Sequence, residues 1–202
     1  NDIQKPKVQK QIIFGVNIED LDGLSKLSKV FDYPTSDLRF KEIWNATTII
    51  AVDKFYPPKD ISFDVYLMSV SPDLYIAFSG SKKGTEITKS KLFKNTNRKF
   101  PHVKKKGDPL LSNMDLARAI EKSNDHPVWK ELASICFGCG ICSYACPLCY
   151  CFTEEDVPEI TNTGDASGTR CRNWDSCMLQ SFSATNAGNF RPELEDRIYN
   201  WY

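Results

Sequence analysis

The stretch from Cys136 to Cys151 reads C-F-G-C-G-I-C-S-Y-A-C-P-L-C-Y-C and holds six of the chain's eight cysteines, the others being Cys171 and Cys177. No other feature of the 202 residues restricts the fold as strongly. Its first half is C-x2-C-x2-C-x3-C-P, a spacing that holds 4Fe-4S clusters. A short loop with a cysteine at every third residue can wind around a cubane and present several thiolates while its N–H groups face the sulfides. Gly138 and Gly140 let such a loop turn tightly. Pro147 keeps the chain from re-entering the loop and fixes the exit direction of Cys146. The candidate cluster and metal ligands are therefore Cys136, Cys139, Cys142, Cys146, Cys149, Cys151, Cys171 and Cys177.

Three other readings of these cysteines compete. Structural zinc takes two separated C-x2-C knuckles, four ligands in all, and needs neither a third cysteine two residues later nor a following proline. Disulfides fit poorly, since six thiols in sixteen residues leave little room for unstrained pairing. Cys142, Cys146 and Cys149 also satisfy C-x3-C-x2-C, the spacing of radical-SAM enzymes. Leu148 stands where those enzymes usually carry an aromatic residue, however, and too little chain follows to form a full barrel.

The division of ligands follows from the two-cluster ferredoxin pattern. There Cys136, Cys139 and Cys142 share one cube with a distant cysteine, while Cys146 points away to a second. Cys149, Cys151, Cys171 and Cys177 remain and are expected to converge as one complete four-thiol site, brought together by a turn around Gly164 and Gly168. In the alternative pairing, Cys177 completes the first loop and Cys146 joins Cys149, Cys151 and Cys171.

Charge is balanced overall, which points to neither nucleic acid nor a membrane surface as partner. The distribution is uneven: residues 82–106 carry ten Lys and Arg against Glu86, whereas residues 107–202 carry seven basic and fourteen acidic side chains. No apolar run approaches the roughly 18 residues that cross a bilayer, and N-D-I-Q-K-P-K lacks a signal-peptide core. Eight thiols confined to residues 136–177, with none in the first 135, mark a local metal site in a reducing compartment, and a cytoplasmic location is expected. The chain starts at Asn1 without methionine and ends at Tyr202 inside a predicted helix, so a piece of a longer protein is expected.

Along the chain, Q-I-I-F-G-V at 11–16 predicts a buried strand. Leu21, Leu24, Leu27, Val30 and Phe31 at helical spacing predict a helix that Asn17, Glu19 and Asp20 start. Thr35 or Ser36 can cap a second helix through Trp44, and Thr47–Val52 predicts another buried strand. After Pro57 and Pro58, the runs Phe63–Val70 and Leu74–Phe78 flank S-P-D and read as a hairpin or adjacent strands. From Lys82 to Pro109 the pattern dissolves into polar and basic residues, which suggests a linker or surface arm. A helix resumes near Asn113 with Leu116, Ala117, Ala119 and Ile120 on its apolar face. In the next, Asp125 is a candidate N-cap, Pro127 sits early, and Trp129, Leu132 and Ile135 face inward. Residues 152–170 read as two short strands around a glycine-marked turn, and Arg191-Pro192 opens a terminal helix with Leu194, Ile198 and Trp201.

Other residues have both a plain and a functional reading. Arg170 and Arg172 can offset the charge of a thiolate-bound cluster or be surface arginines beside a turn. Trp174 can shield a cluster from water or simply pack in a core. His102 and His126 are isolated and expected to face solvent or cap helices. The lysine-rich arm can dock an acidic partner or be a solvated face. No phosphate loop, G-x-G-x-x-G, Ser/His/Asp set or internal repeat stands out, and no catalytic residue is assigned.

The segments H-P-V-W-K-E-L, C-F-G-C-G-I-C-S-Y-A-C-P-L-C-Y-C-F, R-C-R-N-W-D-S-C, A-G-N-F-R and D-R-I-Y-N-W-Y together resemble the iron-sulfur β subunits of cytoplasmic nickel-iron sulfhydrogenases. The iron-sulfur subunit of anaerobic sulfite reductase is similar. The likeness covers nearly the whole chain and is strongest from about Asp125 onward. It implies an α+β protein: a small α/β scaffold domain at 1–93, a basic linker at 94–111, and a ferredoxin-like, mainly helical iron-sulfur domain at 112–202. It further implies an electron-transfer subunit of an anaerobic oxidoreductase complex. Such a subunit relays single electrons between a flavin subunit that oxidises NAD(P)H and a catalytic partner such as a nickel-iron hydrogenase. One 4Fe-4S cluster would come complete from this chain, and up to two more would be completed by sequence beyond it. Where the family carries G-V-R-P-C-D, this chain has Gly15-Val16-Asn17-Ile18-Glu19-Asp20, and it lacks the family's cysteines after the second strand. Its N-terminal domain is accordingly read as a scaffold or docking domain. The competing reading is a zinc-stabilised interaction module with a basic docking arm.

Overall fold

The computed structural model describes residues 7–96, 112–160 and 166–202. The chain forms two compact units, Asn1–Gly107 and Asp108–Tyr202. The first begins with β1 (Gln11–Val16), α1 (Ile18–Val30), α2 (Leu38–Ala46) and β2 (Thr47–Asp53). It continues through β3 (Val65–Ser71), β4 (Leu74–Ser79) and α3 (Lys82–Thr88). The sheet order is β1-β2-β3-β4. β1, β2 and β3 run parallel, and β4 returns antiparallel to β3 as the S-P-D turn predicts.

Alternation on β2 sets the core. Thr47, Ile49 and Ala51 are buried on one face, where Ile49 and Ala51 join Val16, Leu21, Tyr66 and Met68. Helix α1 supplies Leu21, which is fully buried, and starts where expected: Asn17 Oδ1 accepts from the Asp20 N–H at 2.8 Å. The carboxylate of Asp53, at the end of β2, accepts from the Ile18 N–H at 2.9 Å, so the strand end helps satisfy the free N–H groups of the helix start. Two expectations need correction. β1 is an edge strand rather than a buried one, and Ile12 and Phe14 are exposed. The cap of α2 is Asp37, whose Oδ1 accepts from the Phe40 N–H at 2.8 Å, and neither Thr35 nor Ser36 fills that role.

The basic stretch after residue 81 also departs from expectation, because Lys82–Thr88 is helical and belongs to the unit's fold. Ser81 explains this: its Oγ accepts from the Gly84 N–H at 2.9 Å and donates to Asp64 Oδ1 at 2.5 Å, while Asp64 Oδ2 accepts from the Ile49 N–H at 2.9 Å. Lys83 reaches the Thr47 carbonyl at 2.7 Å. Residues 97–111, which include most of the expected linker, lie outside the described residues. Gly84 is pressed against the chain before β3, where a Cβ would stand 1.7 Å from the Asp64 carbonyl oxygen. Backbone cannot swing aside as a side-chain tip can, so Gly84→Ala is expected to destabilise this unit by about 3 kcal/mol. Urea unfolding followed by far-UV circular dichroism measures this, and a loss below about 1 kcal/mol would show that α3 shifts freely.

The second unit contains α4 (Asn113–Glu121), α5 (Val128–Ile135), α6 (Ile141–Ala145), β5 (Phe152–Ile160) and β6 (Ala166–Trp174). A 3-10 turn at Gln180–Ser183, the short pair β7 (Ala184–Thr185) and β8 (Gly188–Asn189), and α7 (Leu194–Trp201) complete it. Its core packs α5 on α7 through Trp129, Met178 and Ile198. β5 and β6 pair antiparallel from Phe152↔Trp174 to Ile160↔Ala166, so the unit mixes helices with a long ribbon. Gly168 lies within β6, and Gly164 is outside the described residues. α4 is capped by Ser112 and buries none of its residues, so the apolar face read from Leu116 to Ile120 stays largely open. Ile135 also points outward at 74 % exposure, and Pro127 rather than Asp125 occupies the cap position of α5. The overall class is α+β, as expected. Among the described residues, no helix is long and apolar enough to cross a membrane.

Candidate metal centre

Helix α5 delivers the cysteine loop. Trp129 anchors the helix, buried and donating its indole N–H to the Ser123 carbonyl at 2.5 Å, and Cys136 ends it in extended conformation. The loop then turns through Gly138 at φ 63° and Gly140 at φ 77°, left-handed values that a side chain resists. The Gly138 N–H donates to Cys136 Sγ at 3.4 Å, an amide turned toward sulfur as cluster loops require. The single-turn helix α6 follows and carries Cys142; Cys146 terminates it, its N–H donating to the Cys142 carbonyl at 3.1 Å. The Cys149 N–H donates to the Cys146 carbonyl at 3.1 Å, so the chain doubles back after Pro147.

The second half of the site is fixed from the ribbon's base. The Asp175 N–H donates to the Cys151 carbonyl at 3.0 Å, which carries Cys177 under the cysteine loop. Cys177 is the one buried candidate, with Ser143 Oγ of α6 at 4.0 Å from its sulfur. Cys139 and Cys142 are exposed, the remaining candidates are half-buried, and all eight are free thiols. Ser176, fully buried, packs against Gly140, and its Oγ accepts from the Met178 N–H at 3.1 Å.

Burial and neighbouring charge act together on two of these thiols. Burial pushes the Cys149 thiol up to about 11, helped by the negative charge and hydrogen bond of Cys146 and by Cys177, while the Trp201 indole acts in the opposite direction. Burial, together with Cys177, also raises Cys151. The charge of Cys177 thus acts on both Cys149 and Cys151, and that of Cys146 on Cys149. Cys171 faces the same side of the ribbon as Thr153 and Glu155 and pairs with Glu155, four residues beyond the level of Cys151. At 3.3 Å per residue that is about 13 Å. The pairing of Phe152 with Trp174 at the start of the ribbon imposes this offset, which the sequence spacing alone did not reveal.

Among the described residues, no group of three or more His, Cys, Asp or Glu side chains is close enough to hold a metal ion. The donor set still fits iron-sulfur chemistry in kind. It is entirely thiol, it sits on a loop with left-handed glycines, and at least one of its amides faces sulfur. Cys136, Cys139 and Cys142 would hold one cluster from the first loop. Cys146, Cys149, Cys151, Cys171 and Cys177 are the donors available to the rest.

Several residues take their plain reading. Arg170 grips Asp156 through two bonds of 2.7 and 2.8 Å, holding that carboxyl below its ordinary range chiefly by hydrogen bonding. Arg172 pairs with Glu154 at 2.9 Å and lies 4.4 Å over the Phe152 ring. Both arginines occupy the ribbon face opposite Cys171, and Trp174 is 55 % exposed. His126, just before the Pro127 cap of α5, accepts at Nδ1 from the Val128 N–H at 3.2 Å, and His102 lies outside the described residues. Sequence reading missed Ser176, whose only signal is its place in W-D-S-C, and gave Trp201 no role beyond apolar spacing.

Comparison with known proteins agrees with this chemistry. Residues 135–202 match the model of the 4Fe-4S dicluster domain, so the C-terminal third is similar to iron-sulfur domains of that class. Sulfhydrogenase 2 subunit beta of Pyrococcus furiosus is 28 % identical over 218 aligned positions, which cover 96 % of this chain and 63 % of that protein. The chain thus spans less than two thirds of this relative's length. No solved structure matches it. Together the two likenesses bear out the resemblance to iron-sulfur β subunits.

Proposed function

We propose that the chain is an electron-relay subunit of a hydrogenase-type complex and turns over no substrate alone. It carries single electrons between a flavin subunit that oxidises NAD(P)H and a catalytic partner such as a nickel-iron hydrogenase. The observation that carries this reading is the confinement of eight thiols to residues 136–177 beneath a 4Fe-4S dicluster match, in a chain similar along 96 % of its length to a sulfhydrogenase β subunit. The bound clusters supply the one-electron chemistry. The chain's own residues ligate them, order the loop through Gly138 and Gly140, and exclude water through the packing of Trp129, Met178 and Ile198. In this reading residues 1–93 are a scaffold or docking domain, 94–111 a basic connector, and 112–202 a ferredoxin-like domain that works in the cytoplasm.

Chain purified without oxygen is expected to be brown, to contain iron and acid-labile sulfide, and to lose its visible absorption on reduction. A colourless protein holding stoichiometric zinc would instead establish a zinc-stabilised interaction module. Catalysis on a small substrate by the isolated chain would overturn the relay.

A further inference from the structure

Strand β1 has β2 on one side, and among the described residues no strand pairs with its other side. The opposite edge of the sheet, β4, has α3 against it, with Thr85 Oγ1 2.6 Å from Ser79 Oγ. A bare edge offers unpaired N–H and C=O groups to any strand that comes alongside, and proteins usually blunt it with charge, proline or a bulge. Gln11–Val16 carries neither charge nor proline. Its bulge, at Gly15 with φ 86°, comes only at the end, where it turns Val16 into the core, so residues 11–14 stay regular. Ile12 and Phe14 share one face of the sheet and are 66 % and 68 % exposed. Charge then selects what covers them. Exposed Lys7 and Lys10 precede the strand, and Glu19 and Asp20 follow it in the first turn of α1. The strand thus enters basic and leaves acidic, which complements its own image when the image runs the other way. A parallel image would set like charges side by side.

We propose that β1 is a self-association edge, covered by β1 of a second copy of this chain in antiparallel pairing about a two-fold axis, so that two four-stranded sheets join into one. Residues directly opposite in such a pair share a face, so Ile12 of each copy can stand opposite Phe14 of the other with Ile13 on the axis. That aliphatic-aromatic contact is made twice. Lys10 of each copy comes toward the Glu19 end of its partner. The inference concerns the N-terminal unit and stands apart from the electron-relay reading, to which it would give two cysteine-bearing domains per assembly.

Sedimentation equilibrium of the full chain tests this, run without oxygen and with a reductant so that its cysteines form no crosslinks. The mass is expected to rise with concentration toward twice the 23.0 kDa of the chain. Phe14→Lys, at a side chain that already faces solvent, should keep the cooperative melting transition and weaken the dimer by about tenfold or more, because the change enters the interface twice. Lys10→Glu should weaken it as well, and Glu19→Lys added to Lys10→Glu should restore it. If Phe14→Lys disturbs folding, Ile12→Lys takes its place. A chain that stays monomeric overturns the assignment, as does a dimer indifferent to the edge substitutions or one in which Glu19→Lys fails to rescue Lys10→Glu. Iron and sulfide measured on the same samples report separately on the relay reading.

Discussion

Cys177→Ser is expected to lower the iron and sulfide bound by the chain by the content of one cluster while leaving the N-terminal unit folded. The substitution changes one atom and little volume, but a serine hydroxyl stays protonated where a thiol yields thiolate, and thiolate is what iron takes. Cys177 is where such a loss should be complete. It is the one buried thiol, it sits beneath α6 beside Ser143, and both Cys149 and Cys151 sense its charge. Cys171→Ser provides the contrast, because Cys171 pairs with Glu155 well along the ribbon. An equal loss in both variants would show that the ribbon re-registers to bring Cys171 in when iron binds. Unchanged iron in Cys177→Ser would remove Cys177 from the ligand set.

Gly140→Ala is expected to cost the C-terminal unit about 3 kcal/mol and to prevent stable cluster loading, from two independent causes. At φ 77° the backbone is left-handed, which costs a residue with a Cβ roughly 1–2 kcal/mol. The added carbon would also stand 2.8 Å from Ser176 Oγ and 2.9 Å from its Cβ. Ser176 cannot retreat, since it is fully buried and holds the Met178 N–H. Gly188→Ala separates the two causes, for Gly188 has φ 127° and open space around its Cα. Thermal unfolding of both variants with iron analysis reads the difference, and a Gly140→Ala protein as stable as Gly188→Ala would mean that Ser176 gives way at no cost.

Periodicity alone located most elements. Strands with β-branched runs at 11–16 and 47–52, the α1 helix with its Asn17 cap, the S-P-D hairpin and the terminal helix with Leu194 and Ile198 all formed where local pattern placed them. Where pattern failed, a distant contact decided. Lys82–Thr88 reads as a charged surface arm, yet it is helical because Ser81 caps it and Asp64, far back in the chain, receives that cap. β1 reads as buried because its residues are apolar, but sheet order leaves it at an edge. In the site, the cysteine spacing names the candidate donors, whereas where each of them stands depends on strand register. No local signal encodes that Phe152 faces Trp174, and that one pairing carries Cys171 away from Cys151.

The core of the four-stranded sheet draws every one of its residues from Val16 to Phe78, and the first 135 residues contain no thiol. Oxygen damage to the cysteines therefore leaves the strands and helices of that unit in place. A sample bleached by air would retain much of its far-UV dichroism and a cooperative melting transition, so neither signal certifies that a preparation is intact. Quality control of this protein has to follow its iron, its sulfide and its colour, which report on the half that carries the thiols.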